Sequence, residues 1–260
     1  MLNKDDIEVL KQIIIRAGKQ ILSLKKKKTQ ILSKSDNSPV TLADIQSNEI
    51  ICNGLKRKFE NISIVSEENS SRKIENIFFL VDPLDGTREF IAGDSDFTVN
   101  IALIRGNEPI FGFIYAPVNQ ELYWNNSEGS FLSSKKKESR IFCRGNLKYK
   151  DIEISKSHKN KKTENFLNSL NHNRANYTGS SLKLCKLANG ISNIYPRYGT
   201  TMEWDIAAGH SILRKAGGDI FINSKQTLNY GKKNFKNPNF IALGLKSHSK
   251  EIIKKFLKYQ

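Results

Sequence analysis

Phe78-Phe79-Leu80-Val81-Asp82-Pro83-Leu84-Asp85-Gly86-Thr87 is the stretch around which the rest of the chain arranges itself. Ile77 to Val81 is an apolar run of β-branched, aromatic and aliphatic residues bounded by polar segments, the pattern of a strand buried in a sheet. It delivers two carboxylates three residues apart, with Pro83 stiffening the turn between them and Gly86 permitting close backbone approach before Thr87. Magnesium prefers oxygen donors in octahedral geometry and keeps several waters, so Asp82, Asp85 and the Leu84 carbonyl suit such a cation. The same spacing also suits an Asx-type turn between core strands.

Upstream, Ile62 to Val65 reads as a second short strand, ending at Ser66-Glu67-Glu68. Adjacent acids beside a buried run must be solvated, paired or bound to a cation. Thr41 followed by Asp44 resembles a capping box, with Asp in place of Glu or Gln, and places Asp44 in the first turn of a helix whose apolar side includes Ile45, Ile51, Leu55 and Phe59. An earlier helix is marked by Ile7, Leu10, Ile13, Ile14, Ala17, Ile21 and Leu24, an apolar stripe at helical spacing. Lys25 to Lys28 has no interleaved aromatics and reads as a solvated helix end. Ser33 to Pro39 is a polar loop.

Downstream, Phe97–Arg105, Ile110–Tyr115 and Glu121–Trp124 form a strand series, with Gly106 and Asn107 turning the first pair. Later residues predict helices at Thr163–Leu170, Ser181–Ala188 and Trp204–Lys215, with strands at Ile191–Tyr195 and Asp219–Ile222. The expected division is an α+β half, residues 1–134, and an α/β half, residues 135–260. Lys135 to Lys137 marks the boundary, although a hairpin tip has the same appearance. Trp204-Asp205-Ile206-Ala207-Ala208-Gly209 places an acid at a helix start, where dipole capping alone would account for it.

The chain has 260 residues, 38% of them hydrophobic, enough for a substantial core and incompatible with disorder. A net charge of +16 favours a polyanionic partner or substrate, though a chain rich in Lys, Asn and Ile acquires such charge from composition as well. Cys52, Cys143 and Cys185 form no CxxC pair, which argues against a disulfide framework or a zinc site and fits a reducing compartment. Asp5, Asp6 and Glu8 stand where a secretion signal would be basic then apolar, and no apolar run approaches about 18 residues. The P-loop, GxGxxG and HExxH patterns are missing from the sequence. His172, His210 and His248 match no catalytic motif, and no serine or cysteine has a nucleophile setting, which favours direct attack by water.

Val40-Thr41-Leu42-Ala43-Asp44, Val65-Ser66-Glu67-Glu68, the Asp82 to Thr87 segment and Trp204 to Gly209 together resemble, in order, the signatures of the inositol-monophosphatase superfamily. The resemblance implies an α/β (α+β) fold, a layered αβαβα sandwich of the inositol-monophosphatase/fructose-bisphosphatase type. It also implies magnesium-dependent, lithium-sensitive hydrolysis of phosphate monoesters with two or three Mg2+ per site. Glu67, Asp82, Asp85, the Leu84 carbonyl and Asp205 match metal ligands. Asp44 and Thr87 match the pair orienting the attacking water, with Glu67 also catalytic, and the Gly86 and Thr87 amides would hold the phosphate. Two cations would clamp the attacking and leaving oxygens and lower the water's pKa.

Substrate choice falls to the second half. Gly179-Ser180-Ser181-Leu182-Lys183-Leu184-Cys185 and Ile194-Tyr195-Pro196-Arg197-Tyr198-Gly199 resemble the bacterial CysQ type of 3'(2'),5'-bisphosphate nucleotidase, as does Ser157-His158. Inositol-specific relatives usually carry an acid near the Arg197 position and Asn or Asp near Lys183. An inositol ring offers hydroxyls, whereas 3'-phosphoadenosine 5'-phosphate presents a second phosphate, which Lys and Arg suit. The implied substrate contacts are Gly86, Thr87, His158, Ser180, Lys183, Arg197 and Asp205, and the implied products are AMP and phosphate. Inositol monophosphate and fructose 1,6-bisphosphate are the alternative substrates, and a non-catalytic polyanion binder is the rival class. The expected partner is thus a small molecule, with no nucleic-acid polymer and no integral membrane segment. The expected setting is cytoplasmic, as a monomer or homodimer, with room for weak peripheral association at the inner membrane face. The Ser33–Pro39 loop is expected to order when metal and substrate bind.

Overall fold

The computed structural model describes residues 2–25, 31–33, 39–69, 73–135, 137–144, 151–157, 160–170, 174–244 and 249–260. The chain opens with α1 (Lys4–Lys25), a small antiparallel pair β1 (Ile31–Ser33) and β2 (Pro39–Thr41), and α2 (Leu42–Lys58). There follow β3 (Ser63–Ser66), β4 (Ile77–Asp85), the short α3 (Thr87–Ile91), β5 (Thr98–Arg105), β6 (Glu108–Ala116), β7 (Glu121–Asn125), β8 (Ser130–Ser134) and β9 (Lys137–Ile141). These seven strands make one sheet in sequential order, parallel between β3 and β4 and antiparallel thereafter.

The remainder comprises β10 (Asp151–Ser155), α4 (Lys161–Ser169), β11 (Arg174–Thr178), α5 (Leu182–Ala188), β12 (Ile194–Arg197), β13 (Thr201–Met202), α6 (Glu203–Lys215), β14 (Asp219–Phe221), β15 (Lys236–Asn237), β16 (Phe240–Leu243) and α7 (Ser249–Leu257). Five of these strands form a mixed sheet, ordered β11-β10-β12-β16-β14, while β13 pairs with β15.

The alternation of side chains along β4 sorts the core into layers. Phe79 and Val81 pack with Leu10, Ile14 and Ile21 of α1 and Ile51 and Leu55 of α2. Phe78 and Leu80 point to the other face, against Leu184 of α5, Ala207 and Ala208 of α6, and Tyr195, Ile220 and Phe240 of the second sheet. The far face of that second sheet, with Ile152, Ile154 and Ile241, packs on Phe166 of α4 and Ile252 and Phe256 of α7. The result is the expected αβαβα sandwich, each fully buried large apolar side chain contributing about 1.5–3 kcal/mol. Gly112 on β6 lets α6 approach closely, since a Cβ there would lie 2.1 Å from the Ala208 carbonyl oxygen.

Ser134 pairs with Lys137, so the first sheet runs past the expected boundary to Ile141 and the second begins at Asp151. Both α5 and α6 from the second half lie between the sheets. Ile45 is 37% exposed and lies off the buried side of α2. Strands β1, β2, β8, β9, β10, β11, β13, β15 and β16 and helix α7 lie beyond the elements expected from the sequence. The expectations for Lys26 to Lys28 and for most of the Ser33–Pro39 loop fall outside the described residues. Among the described residues, no helix is long and apolar enough to cross a membrane, and all three cysteines are free.

Candidate active site

The end of β4 departs from regular pairing. Asp82 opposes Asn100 and Asp85 opposes Thr98, with the irregularity taken up at Pro83 and Leu84. The Leu84 amide donates to Asp82 Oδ1 at 3.1 Å, so the Asx-type turn is present, and the Ser47 hydroxyl donates to the Pro83 carbonyl at 2.7 Å. Gly86 follows at φ +90°, a conformation that a side chain would strain, and a Cβ there would lie 2.9 Å from the Asp96 carbonyl. This turn brings Thr87 back so that its Oγ1 lies 3.0 Å from Asp44 Oδ1 and 3.1 Å from the Leu84 carbonyl. The capping box held by Asp44 is intact: Oδ2 accepts from the Thr41 amide at 2.7 Å and the Thr41 hydroxyl at 2.6 Å.

A cleft of about 400 Å³ opens where β4 meets the second half. Glu67, Asp82, Leu84, Asp85, Gly86 and Thr87 of the first half line it together with Ser180, Lys183, Arg197 and Asp205 of the second. Asp44 does not line the cleft and reaches it only through Thr87. His158 lies outside the described residues.

Asp85 Oδ2 accepts from the Ser181 amide at 2.5 Å and from Asn100 Nδ2 at 3.3 Å, tying the first sheet to the start of α5. Asp205 stands in the first turn of α6, its Oδ2 accepting from the Met202 amide at 2.9 Å. Burial, reinforced by repulsion from Asp85 and Glu67, pushes Asp205 well above the usual carboxylate range. Burial also raises Asp85 against the opposing charge of Lys183, and raises Asp44 against its hydrogen bonds from Thr41 and Thr87.

These carboxylates offer only oxygen donors, and carboxylates that repel one another in a buried setting are stabilised by positive charge placed among them. The set therefore fits a hard divalent cation. It is not a ready-made cage: among the described residues no three His, Cys, Asp or Glu side chains are gathered tightly enough to clasp an ion.

In the second half, Lys183 is 6% exposed, with Nζ donating to the Thr178 carbonyl at 3.2 Å and the Ser180 carbonyl at 2.5 Å. Burial pulls its pKa down to about 8, with Asp85 opposing the fall. Arg197 is 8% exposed; one terminal nitrogen donates to the Thr200 carbonyl at 3.0 Å, while Nε is buried without a partner among the described residues. Ser180 holds φ +48°, backbone strain within the cleft wall.

Ser155 and Glu89 also line the cleft and were missed by the sequence reading, which stopped at Thr87. Glu89 is 7% exposed in α3, and the Ser157 hydroxyl donates to its Oε1. An acid three residues after Gly86 looks like any first-turn helix residue, so only its burial distinguishes it. His210 lies away from the cleft, fully buried on α6 between the Tyr230 hydroxyl at 2.8 Å and Asp219 at 2.7 Å.

The chain is 37% identical over 246 residues to the 3'(2'),5'-bisphosphate nucleotidase CysQ of Salmonella typhimurium, covering 90% of this chain and 98% of that protein. It is 38% identical over 248 residues to the CysQ nucleotidase of Buchnera aphidicola, covering 90% and 92%. Among solved structures, CysQ from Bacteroides thetaiotaomicron, described as a bacterial member of the inositol monophosphatase family, superposes with a TM-score of 0.81 at 33% identity over 92% of this chain and 97% of that one. An inositol monophosphatase from Thermotoga maritima shares the fold, with a TM-score of 0.83 at 22% identity over 99% and 98% of the two chains. The model of the Inositol monophosphatase family matches residues 3–260, and the chain belongs to that family.

Proposed function

We propose that this chain is a magnesium-dependent 3'(2'),5'-bisphosphate nucleotidase that converts 3'-phosphoadenosine 5'-phosphate to AMP and phosphate. The observation that carries the substrate choice is Arg197, a buried guanidinium lining the same cleft as the carboxylates, with Nε unpartnered among the described residues. A buried donor of this kind favours an anion, and a bidentate fork suits phosphate. The relatedness to CysQ nucleotidases supports the same reading.

Glu67, Asp82, Asp85, Asp205 and the Leu84 carbonyl would hold magnesium. When bound, the metal supplies charge neutralisation on the phosphoryl group and a more acidic attacking water. The Thr87 hydroxyl, anchored by Asp44, orients that water, while Asp44 acts as a positioning residue behind it. Glu67 is the cleft carboxylate available to take the water's proton. The amides of Gly86 and Thr87 hold the scissile phosphate at the start of α3. Water oxygen bonds to phosphorus as Glu67 takes its proton, the bond from phosphorus to O3' breaks, and O3' takes a proton from solvent water to leave as the sugar hydroxyl, Glu67 returning its own to solvent. Arg197 and the charge of Lys183 hold the 5'-phosphate, fixing which ester meets Thr87.

Phosphate release measured with magnesium across 3'-phosphoadenosine 5'-phosphate, 3'-AMP, inositol monophosphate and fructose 1,6-bisphosphate tests this reading. Highest kcat/KM on the bisphosphorylated nucleotide, loss with chelator and inhibition by lithium are expected. Faster turnover of inositol monophosphate would overturn the substrate assignment. No magnesium-dependent release from any of the four would leave a polyanion binder.

A further inference from the structure

Glu89 is a carboxylate in a cleft whose Lys183 and Arg197 are arranged for anions. It lines the cleft, is 7% exposed, and among the described residues has one hydrogen-bond donor, the Ser157 hydroxyl on Oε1. Its second oxygen is left to accept from something else. Gly179 presses against the side chain: a Cβ at that position would come within 2.8 Å of Glu89 Cγ and 2.6 Å of the Asp96 carbonyl. The Gly179 amide donates to Asp96 Oδ2 at 3.1 Å, which fixes that loop in place. The carboxylate is thus oriented before any ligand arrives.

A buried carboxylate repels phosphate and is favourable towards a cation or a hydrogen-bond donor; the charges of Lys183 and Lys156 already act on Glu89, which leaves its second oxygen for a neutral donor. We propose that Glu89 recognises the sugar 2'-hydroxyl of the substrate and makes the site selective for ribonucleotides. This rests on the nucleotidase reading above. In a 3',5'-bisphosphorylated nucleoside the 2'-hydroxyl is the one free sugar hydroxyl, and it is vicinal to the scissile ester. Glu89 stands three residues after Gly86, the residue that precedes α3, and both line the cleft, so a sugar whose 3'-phosphate is held at Gly86 presents the vicinal hydroxyl, rather than the distant base amine, towards Glu89.

The test compares kcat/KM for adenosine 3',5'-bisphosphate and its 2'-deoxy analogue, in the wild-type protein and in Glu89→Gln, Glu89→Met and Ser157→Ala, with near-ultraviolet circular dichroism to confirm folding. The wild type is expected to prefer the ribose substrate by about 10- to 150-fold, the range for one hydrogen bond to a charged acceptor. Glu89→Gln reduces that preference and Glu89→Met brings it towards unity, mainly by losing rate on the ribose substrate. Ser157→Ala, which leaves the carboxylate in place, keeps the preference. Equal losses on both sugars in the Glu89 variants would make Glu89 a strut for Ser157 and overturn the proposal. So would a wild type indifferent to the 2'-hydroxyl, or a preference that survives Glu89→Met. A wild type that hydrolyses neither nucleotide refutes the nucleotidase reading itself, and the proposal with it.

Discussion

Replacing Arg197 by Met separates substrate recognition from the hydrolytic machinery. Among the described residues the guanidinium makes one hydrogen bond, to the Thr200 carbonyl, and its buried Nε has no partner. Thr200 is exposed, so water replaces the lost donor there. Met preserves the packing of the buried stem on β12, where Arg197 pairs with Phe240. The stability cost should therefore be about 1 kcal/mol or less, a shift of roughly 2–4 °C in Tm for a chain of this size. The catalytic cost is larger. A hydrogen bond to a charged group contributes roughly 1.5–3 kcal/mol, which corresponds to about 10- to 150-fold in kcat/KM on 3'-phosphoadenosine 5'-phosphate. Hydrolysis of 3'-AMP, which lacks the 5'-phosphate, should barely change, because Glu67, Asp82, Asp85 and Asp205 are untouched. Steady-state phosphate release on both substrates at saturating magnesium reads the difference. Equal losses on the two, in a protein that melts normally, would show that Arg197 supports the site and does not recognise the second phosphate.

Asp82→Asn and Asp85→Asn should each nearly abolish turnover with the fold intact, since each removes a charged donor and little volume; near-wild-type rates at saturating magnesium would refute the ligand assignment. Asp44→Asn should lower kcat by about 10²-fold, the low end of what a misplaced proton-transfer geometry costs, with little change in KM, because it leaves Thr87 unanchored, and a change confined to KM would reduce Asp44 to a helix cap. Lys183→Met should lower kcat/KM on both nucleotides but more on the bisphosphate, because its ammonium braces the Thr178 and Ser180 carbonyls and also holds the 5'-phosphate; equal losses on the two would remove Lys183 from recognition of the second phosphate. Burial holds His210 neutral, with its pKa below the usual value against the pull of Asp219. The unfolded chain then binds a proton that the folded one refuses, so this residue's contribution to stability is complete above about pH 6.5 and falls as pH drops, by at most about 1.4 kcal/mol per pH unit. Urea unfolding between pH 7.5 and 5.5 should show a shallower slope in His210→Gln, and an unchanged slope would refute it.

Much of the fold and half of the site are legible in the sequence because they are local. The run from Ile77 to Val81 announces a buried strand, and Asp-Pro-Leu-Asp-Gly-Thr announces the turn it ends in. The capping relation of Thr41 to Asp44 spans three residues and could be read directly. What could not be read depends on partners far along the chain. Glu153 makes β10 look like a surface segment, yet the residue is fully buried, because Thr178, Asn176 and Ser192 donate to its carboxylate and Lys186 pairs with it at 3.6 Å. Lys135 to Lys137 reads equally as a boundary between halves or as a hairpin tip, and the pairing of Ser130 to Ser134 with Lys137 to Ile141, set by contacts across the sheet, carries the first sheet past it.

By itself, then, the sequence determined the alternation of helix and strand, the carboxylates on the first half and, through its motifs, the family. Only the tertiary structure decided that Asp44 meets the cleft-lining Thr87, that Lys183 is held by backbone carbonyls while Arg197 Nε finds no partner among the described residues, and that Glu89 lines the cleft. The physical reason is range. Hydrophobic periodicity and turn chemistry report on neighbours within a few residues, whereas the contacts of a side chain across the cleft are set by packing two sheets around α5 and α6, which brings Ser181 to Asp85 from 96 residues away.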